Sequence, residues 1–423
     1  MNLNILIAQR IGKKAAAKGK LSRISNIIAS VSVALSIVII IVAIAVAGGF
    51  RNEIREKASG FSGDITLQAP GVDITNHHYP ILPLSFIGKI DSLEGVKSVV
   101  PVSYRAGLLK SDNQIQGVLF KGVDSSYDLG FFESCLVEGS LPDYTIKKDS
   151  TGYTLPPSNN ILISERLSNL LGYRSGDKVL AYFVDEDVTL RRFTVCGIYN
   201  AQLDELDKAL IIADSRHISH LNGWKNGELS GYEIFLEKRY RNMAEKYSEK
   251  IDGTIYRYSS DEDSSVIPQA LSDRYWILFD WLHLLDINVV IILALMIAVA
   301  GFNMVSGLLI ILFERISQIG LLKAIGMRER NIIRIFLYRA ASIVLAGLIP
   351  GTIIAMLFCY IENRYRLIPL NPANYFVDHV PAKIDLLTVI SIDIAAFAVV
   401  MLIMLIPCRM ISRISPATTL KVE

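Results

Sequence analysis

The chain has 423 residues, 51% of them hydrophobic and only 20% charged, with a formal net charge of +2. A mean hydropathy of +0.38 excludes an ordinary water-soluble protein, because the apolar residues gather in four blocks. Each is long enough to cross a hydrocarbon core of about 30 Å at about 1.5 Å per helical residue.

Residues 1–26 carry Arg10, Lys13, Lys14, Lys18, Lys20 and Arg23 and no acid. Leu3, Ile5, Leu6, Ile7 and Ile11 are mixed with them, which fits an amphipathic helix on the cytoplasmic face of a membrane or a flexible polar leader. Residues 27–50 contain no charge. This block is too long and starts too late for a cleaved signal peptide, and it ends in Gly48-Gly49-Phe50-Arg51. It is expected to be the first transmembrane helix.

Residues 51–272 are water-soluble in character and long enough to bury a core of their own. Alternating or short apolar runs predict strands at Asp64–Gln68, Val96–Val102, Gln116–Val123, Asn160–Ile163, Lys178–Val184 and Arg192–Tyr199. Helical patterns lie at Ser85–Leu93, Glu165–Leu171 and Arg241–Lys250, and Pro142–Asn160 reads as a loop or subdomain junction. The fold class expected is an α-helical membrane protein with four transmembrane helices plus a large mixed α+β extracytoplasmic domain. From about Pro268 to Asp286 the pattern is helical and rich in interfacial aromatics, namely Tyr275, Trp276, Phe279 and Trp281. A stalk and second transmembrane helix are therefore assigned to residues 273–313. The remaining segments are a cytoplasmic coupling segment (314–335), a third transmembrane helix (336–361), a short outer loop (362–385), a fourth helix (386–407) and a cytoplasmic tail (408–423).

Charge sets the orientation. The coupling segment and the start of the third helix carry Arg315, Lys323, Arg328, Arg330, Arg334 and Arg339 against Glu314 and Glu329; the tail carries Arg409, Arg413 and Lys421 against Glu423. With residues 1–26 these make three short basic segments on one side, which places both termini in the cytoplasm and leaves the rest of the chain acidic. Such patches read as topology signals and contacts to anionic lipid, with no nucleic acid as partner.

The sequence carries no Walker A loop, H-E-x-x-H, G-x-S-x-G or paired-cysteine metal signature. His217 and His220 could meet on a helix face but lack an evident third ligand, and His77-His78 beside Pro80 reads as a surface loop. No catalytic residue and no metal or cofactor site is expected, so any energy must come from another polypeptide. Cys359 and Cys408 fall in or beside membrane helices. Cys135 and Cys196 fall in the α+β domain, where a disulfide is chemically allowed and spacing leaves the pairing open. Asp393 is the one acid well inside an apolar block, a candidate for helix packing or a lumen-facing role over a proton relay.

The most informative segment follows the second helix. Ile319, Leu322 and Ile325 recur at helical spacing on a short connector flanked by Gly320 and Gly326. An apolar stripe at a cytoplasmic turn needs cover from lipid or from a partner's groove.

In this segment Glu314-Arg315, Ile319-Gly320 and Leu322-Lys323-Ala324-Ile325-Gly326 resemble the connector of FtsX-like and MacB-type permeases of ABC transporters, with Gln318 in place of the usual acid. Within that group the chain resembles the LolC/LolE lipoprotein-releasing family. The residues that carry this are Ile7-Ala8-Gln9-Arg10, Gly48-Gly49-Phe50, Lys121-Gly122-Val123-Asp124, Val137-Glu138-Gly139-Ser140-Leu141-Pro142, Ser164-Glu165-Arg166-Leu167, Leu171-Gly172, Gly176-Asp177-Lys178 and Ile414-Ser415-Pro416-Ala417-Thr418-Thr419-Leu420.

The resemblance implies a multi-pass inner-membrane permease with a MacB-like periplasmic domain. It would work with a second permease chain, in a homodimer or a LolC/LolE-type heterodimer, and with a LolD-like dimer of cytoplasmic ATPases that holds the ATP and Mg. The connector from Glu314 to Gly326 would couple to that ATPase. A lipoprotein would be admitted where the first and second helices meet the outer interface, near Val46, Phe50, Phe279, Leu282 and Leu285. A LolA-like periplasmic carrier would receive it. One departure is the short acidic connection Phe183–Arg191, where LolC-type members carry a loop that grips the carrier. The rival readings are a MacB-like mechanotransmission exporter, an FtsX-like regulator of a cell-wall hydrolase, and a receptor with no ATPase partner.

Overall fold

The computed structural model describes residues 20–111, 114–147, 155–185, 187–203, 207–225, 227–314 and 316–410. The segment at 3–18, Arg315 and most of the 408–423 tail lie outside the described residues. In chain order the elements are α1 (Lys20–Ser62), β1 (Ile65–Gln68), α2 (Ile87–Asp91), β2 (Val96–Lys110), β3 (Ile115–Val123), α3 (Gly130–Ser134), β4 (Leu136–Gly139), β5 (Asn160–Ser164), α4 (Glu165–Leu171), β6 (Lys178–Val184) and β7 (Val188–Tyr199). They continue with β8 (Leu210–Asp214), α5 (Ser215–Leu221), β9 (Gly231–Leu236), α6 (Ala244–Tyr258), β10 (Ile267–Ala270), α7 (Leu271–Arg274), α8 (Trp276–Glu314), α9 (Ile316–Ala324), α10 (Glu329–Tyr365), α11 (Pro372–Tyr375) and α12 (Leu386–Met410).

Two compact units result: a helical unit of residues 1–51, 282–369 and 379–423, and an α/β unit of residues 52–281 and 370–378. The helical unit's four long helices are apolar enough to cross a membrane, with candidate spans at Asn26–Ser62, Trp276–Ile310, Glu329–Tyr365 and Leu386–Cys408.

Inside the α/β unit, ten strands run in the order β10-β1-β9-β2-β3-β8-β5-β7-β4, and β6 pairs with both β2 and β7. The pairings β2–β3–β8–β5–β7–β6–β2 therefore close a ring of strands. Alternation explains β6, where Val179, Ala181 and Phe183 are buried and Lys178, Leu180 and Val184 are exposed. Its buried set joins Phe120, Phe193, Val195, Ile211 and Ile163 in one core. A second core, with Ile65, Leu67, Ile234, Leu236 and Ile251, lies between the β1/β9 strands and α6.

The segment expected to start a helix at Pro268 is instead β10, paired to β1 with Pro268 opposite Leu67. As the edge strand it tolerates a residue with no N–H to donate. The helix expected from Arg241 opens as a 3-10 turn and becomes α-helical at Ala244. Strands β8 and β9 are buried along almost their whole length, so they lack the alternation that marks a half-buried strand in sequence. Cys135 and Cys196 are free thiols, and no disulfide joins them.

In the helical unit α1 packs on α10 through small residues. A Cβ at Gly347 would meet the Ser30 carbonyl and Val33, and one at Gly351 would meet the Ala34 backbone. Gly347 and Gly351 sit four apart, which lets two helix backbones approach closely. Polar side chains bridge the helices as well. Ser30 Oγ donates to the Ile343 carbonyl at 3.2 Å, and Asn303 Nδ2 donates to Ser32 Oγ at 2.6 Å.

Candidate coupling and lipid-access residues

The connector folds as a tight helical turn. α9 ends where the Ile325 N–H reaches the Leu321 carbonyl and the Gly326 N–H reaches the Lys323 carbonyl, both at 3.0 Å. Gly326 then adopts φ +90°, a left-handed conformation that favours glycine and stops the helix. Arg328 is extended, and α10 begins at Glu329. Lys323 Nζ lies 3.1 Å from Glu329 Oε1, which joins the last turn of α9 to the first turn of α10. Both charges suit the helix dipole at those ends.

The stripe expected from Ile319, Leu322 and Ile325 is divided. Ile319 is 1% exposed and joins Met304, Leu308, Ile332 and Phe336 in the helical core, because the turn folds α9 back on α10. Gly320 is buried beside it, while Ala324 and Gly326 are open. The surface that remains apolar and open is Leu321 at 53% and Ile325 at 75% exposure. Leu321 was not singled out by the spacing, since its exposure depends on how α9 folds back. The side chains of Glu314 and Leu322 are not described.

The expected lipid-access residues are divided between the two units. In the helical unit Val46 packs beside Ala45, Cys359 and Ala382, toward α10 and the segment before α12. Phe50 and Leu282 are buried, and Leu285 is half-buried. Arg51 and Asp286 form an ion pair that joins α1 to α8 at this level. Sequence reading passed over the pair, although the two opposite charges flank the first two apolar blocks. Phe279 belongs to the α/β unit, where it packs on the core around Phe61 and Leu271 with the Arg55 guanidinium 5.2 Å from its ring centre. Asp393 accepts hydrogen bonds from Thr352 Oγ1 at 2.9 and 3.0 Å, so it bridges α12 to α10.

A feature that sequence reading located only as part of a motif is a buried polar knot in the α/β unit. Lys121 and Glu233 are both 0% exposed and 2.7 Å apart. The Lys121 ammonium also donates to the Phe61 carbonyl at 2.6 Å, in the last turn of α1, and to Tyr127 Oη at 2.7 Å. Tyr104 donates to the other Glu233 oxygen at 2.7 Å. Burial pushes the Lys121 pKa down to about 8, with Glu233 holding it from falling further. Burial likewise raises the Tyr104 and Tyr127 hydroxyls well above their ordinary value. Burial opposes the Arg274 cation, but Tyr275, Tyr104 and Glu233 together hold its pKa above normal. The knot thus ties the end of α1, strands β2, β3 and β9, and the α7 turn that precedes α8. Gly122 next to Lys121 is needed for close packing, since a Cβ there would press on Ser215 and Ile218 of α5 at 2.8 Å.

Four helices long and apolar enough to cross a membrane, together with a large strand-rich unit, define a multi-pass membrane protein with a mixed α/β unit. Residues 290–416 match the family described as FtsX-like permease C-terminal. Over most of its length the chain is similar to proteins named lipoprotein-releasing system transmembrane protein LolC. That of Neisseria meningitidis serogroup B is 24% identical over 79% of this chain and 80% of its own length. That of Xylella fastidiosa (Temecula1) is 22% identical over 89% of both chains. Among solved structures, the periplasmic region of MacB from Actinobacillus actinomycetemcomitans aligns with 52% of this chain and 94% of its own, at 11% identity and a TM-score of 0.33.

Proposed function

We propose that this chain is a permease subunit of an ABC transporter that extracts lipoproteins from the outer leaflet of the bacterial inner membrane and passes them to a periplasmic carrier. The similarity to LolC proteins over about four-fifths of the chain carries the reading. The connector turn with Leu321 and Ile325 open to solvent supports it. In this reading both termini and the connector are cytoplasmic and the α/β unit is periplasmic. A partner ATPase dimer binds ATP and Mg and grips the connector, and a second permease chain completes the assembly. α8 fits that arrangement, because only 11% of its apolar stretch is buried within this chain. Removing an acyl chain from a bilayer costs about 0.8 kcal/mol per CH₂, which calls for an apolar path and an energy source together. In this reading the bond chemistry is left to the partner ATPase, and the chain positions and moves the cargo.

The test is reconstitution of the chain in proteoliposomes with its ATPase and second permease chain. A triacylated lipoprotein should leave the vesicles for a soluble carrier only when ATP is present, and a photocrosslinker at Leu285 or Val46 should capture the acylated protein. ATP hydrolysis with no lipoprotein released, or capture confined to positions on α12, would sink this reading.

A further inference from the structure

We propose that His77, His78 and Asp185 form a binding site for a divalent transition-metal ion of the zinc and copper type on the α/β unit. Their ligand atoms all lie within 4.8 Å of one another, and they come from two segments far apart in sequence. The two imidazole rings are 4.0 Å apart, centre to centre, and tilted by 39°. His77 Nε2 is buried, makes no hydrogen bond among the described residues, and lies 3.6 Å from Asp185 Oδ2. An unpartnered buried nitrogen facing a carboxylate calls for a partner, and a cation held between the two would supply one. Tetrahedral coordination at about 2.0–2.2 Å brings donor atoms to about 3.4 Å from one another, a small side-chain adjustment from the distances present.

The surrounding contacts hold the donors in place. Trp224 Nε1 donates to the His77 carbonyl at 3.1 Å. The His78 N–H donates to Asn76 Oδ1 at 3.1 Å, and the Thr75 N–H to Asp73 Oδ1 at 2.8 Å, so consecutive turns fix the loop. Asp185 sits at the β6–β7 hairpin, where both terminal nitrogens of Arg105 donate to its Oδ2 at 3.2 Å. Those bonds orient the carboxylate and leave Oδ1 outside the pair.

Arg105 also decides which metal fits. It offsets the charge of the one carboxylate, so a hard cation that needs several anionic oxygens, such as Ca²⁺ or Mg²⁺, finds little here. Two imidazoles are the main donors, and imidazole suits Zn²⁺, Cu²⁺ and Ni²⁺. A bound ion would cross-link the loop between β1 and α2 to the β6–β7 hairpin.

The experiment uses the full chain in detergent, stripped with EDTA and titrated with Zn²⁺ by calorimetry. Cu²⁺ quenching of Trp224 fluorescence gives a second readout at the site itself. One equivalent of Zn²⁺ should bind, with Ca²⁺ and Mg²⁺ failing to compete. His78→Ala, at an exposed position, and His77→Ala should each weaken Zn²⁺ binding by about tenfold or more, and Asp185→Asn by about tenfold. His217→Ala should change nothing. Stripped variants should melt with the stripped native chain. Zn²⁺ binding that is equally tight in His77→Ala and His78→Ala, or no binding at about 100 μM Zn²⁺, would overturn the assignment.

Discussion

Replacing Lys121 by methionine keeps the length of the side chain but removes its charge and its three hydrogen bonds, to Phe61, Tyr127 and Glu233. Glu233 is then left as a carboxylate with no exposed surface. Breaking a buried pair on one side costs about 3–5 kcal/mol. Glu233 keeps Tyr104 at 2.7 Å and Tyr127 at 3.3 Å, which argues for the lower part of that range, about 3–4 kcal/mol. For a domain of this size about 2–4 °C per kcal/mol is expected, so the unfolding midpoint should drop by about 6–16 °C. Glu233→Gln should cost a similar amount, and the double variant should fall short of the sum by about 2 kcal/mol or more. The assay is thermal unfolding of the detergent-solubilised chain followed by tryptophan fluorescence. The pH dependence gives an independent sign. Lys121 loses its proton at about 8 when folded and at 10.5 when unfolded. Between those values the unfolded chain holds the extra proton, so the native chain should gain stability as pH rises, relative to Lys121→Met. A single variant that costs under about 1 kcal/mol, or a double variant that is strictly additive, would refute the reasoning.

Two further outcomes follow from the helical unit. Ile325→Asp, or Leu321→Asp, should abolish copurification of the ATPase while leaving the chain in the membrane at native abundance, since both side chains are open; retention of the ATPase would remove this turn from coupling. Gly347→Leu should force α10 away from Ser30 and Val33. A loss of about 1–3 kcal/mol should appear as lower abundance and an earlier thermal transition, and a native melting curve would show that the two helices are not in close contact.

What the sequence could reveal followed from how much each feature depends on local pattern. The four apolar blocks, β6 as a short apolar run from Val179 to Val184, and α4 with Ser164 accepting from the Leu167 N–H were legible because each depends on its own residues. β8 and β9 were not: Leu210–Ala213 is too short an apolar run for its period to decide between strand and helix, and Glu233 interrupts the apolar residues of β9. Pro268 misled, since only the sheet order shows it to be on an edge. Ile319 and Ile325 share a helical spacing, yet one faces the chain's own core and the other faces out. Fold-back of α9 on α10 decides that, and it is a tertiary fact. Lys121, Arg274 and Glu233 are scattered over more than a hundred and fifty positions, and no spacing rule joins them. The same holds for Asp185 and the two histidines.

β2 has a consequence for how the α/β unit can change. Its fifteen residues pair with β9 through their first half and with β3 and β6 through their second. One unbroken backbone therefore belongs both to the closed ring and to the open sheet beside it. The unit has no seam between these parts: chimeras that exchange one of them with a relative must replace the other too. In the course of descent, β2 beyond the bulge at Val96–Ser98 would be expected to tolerate neither insertion nor deletion, because a shift of one residue would turn each of its later side chains to the opposite face.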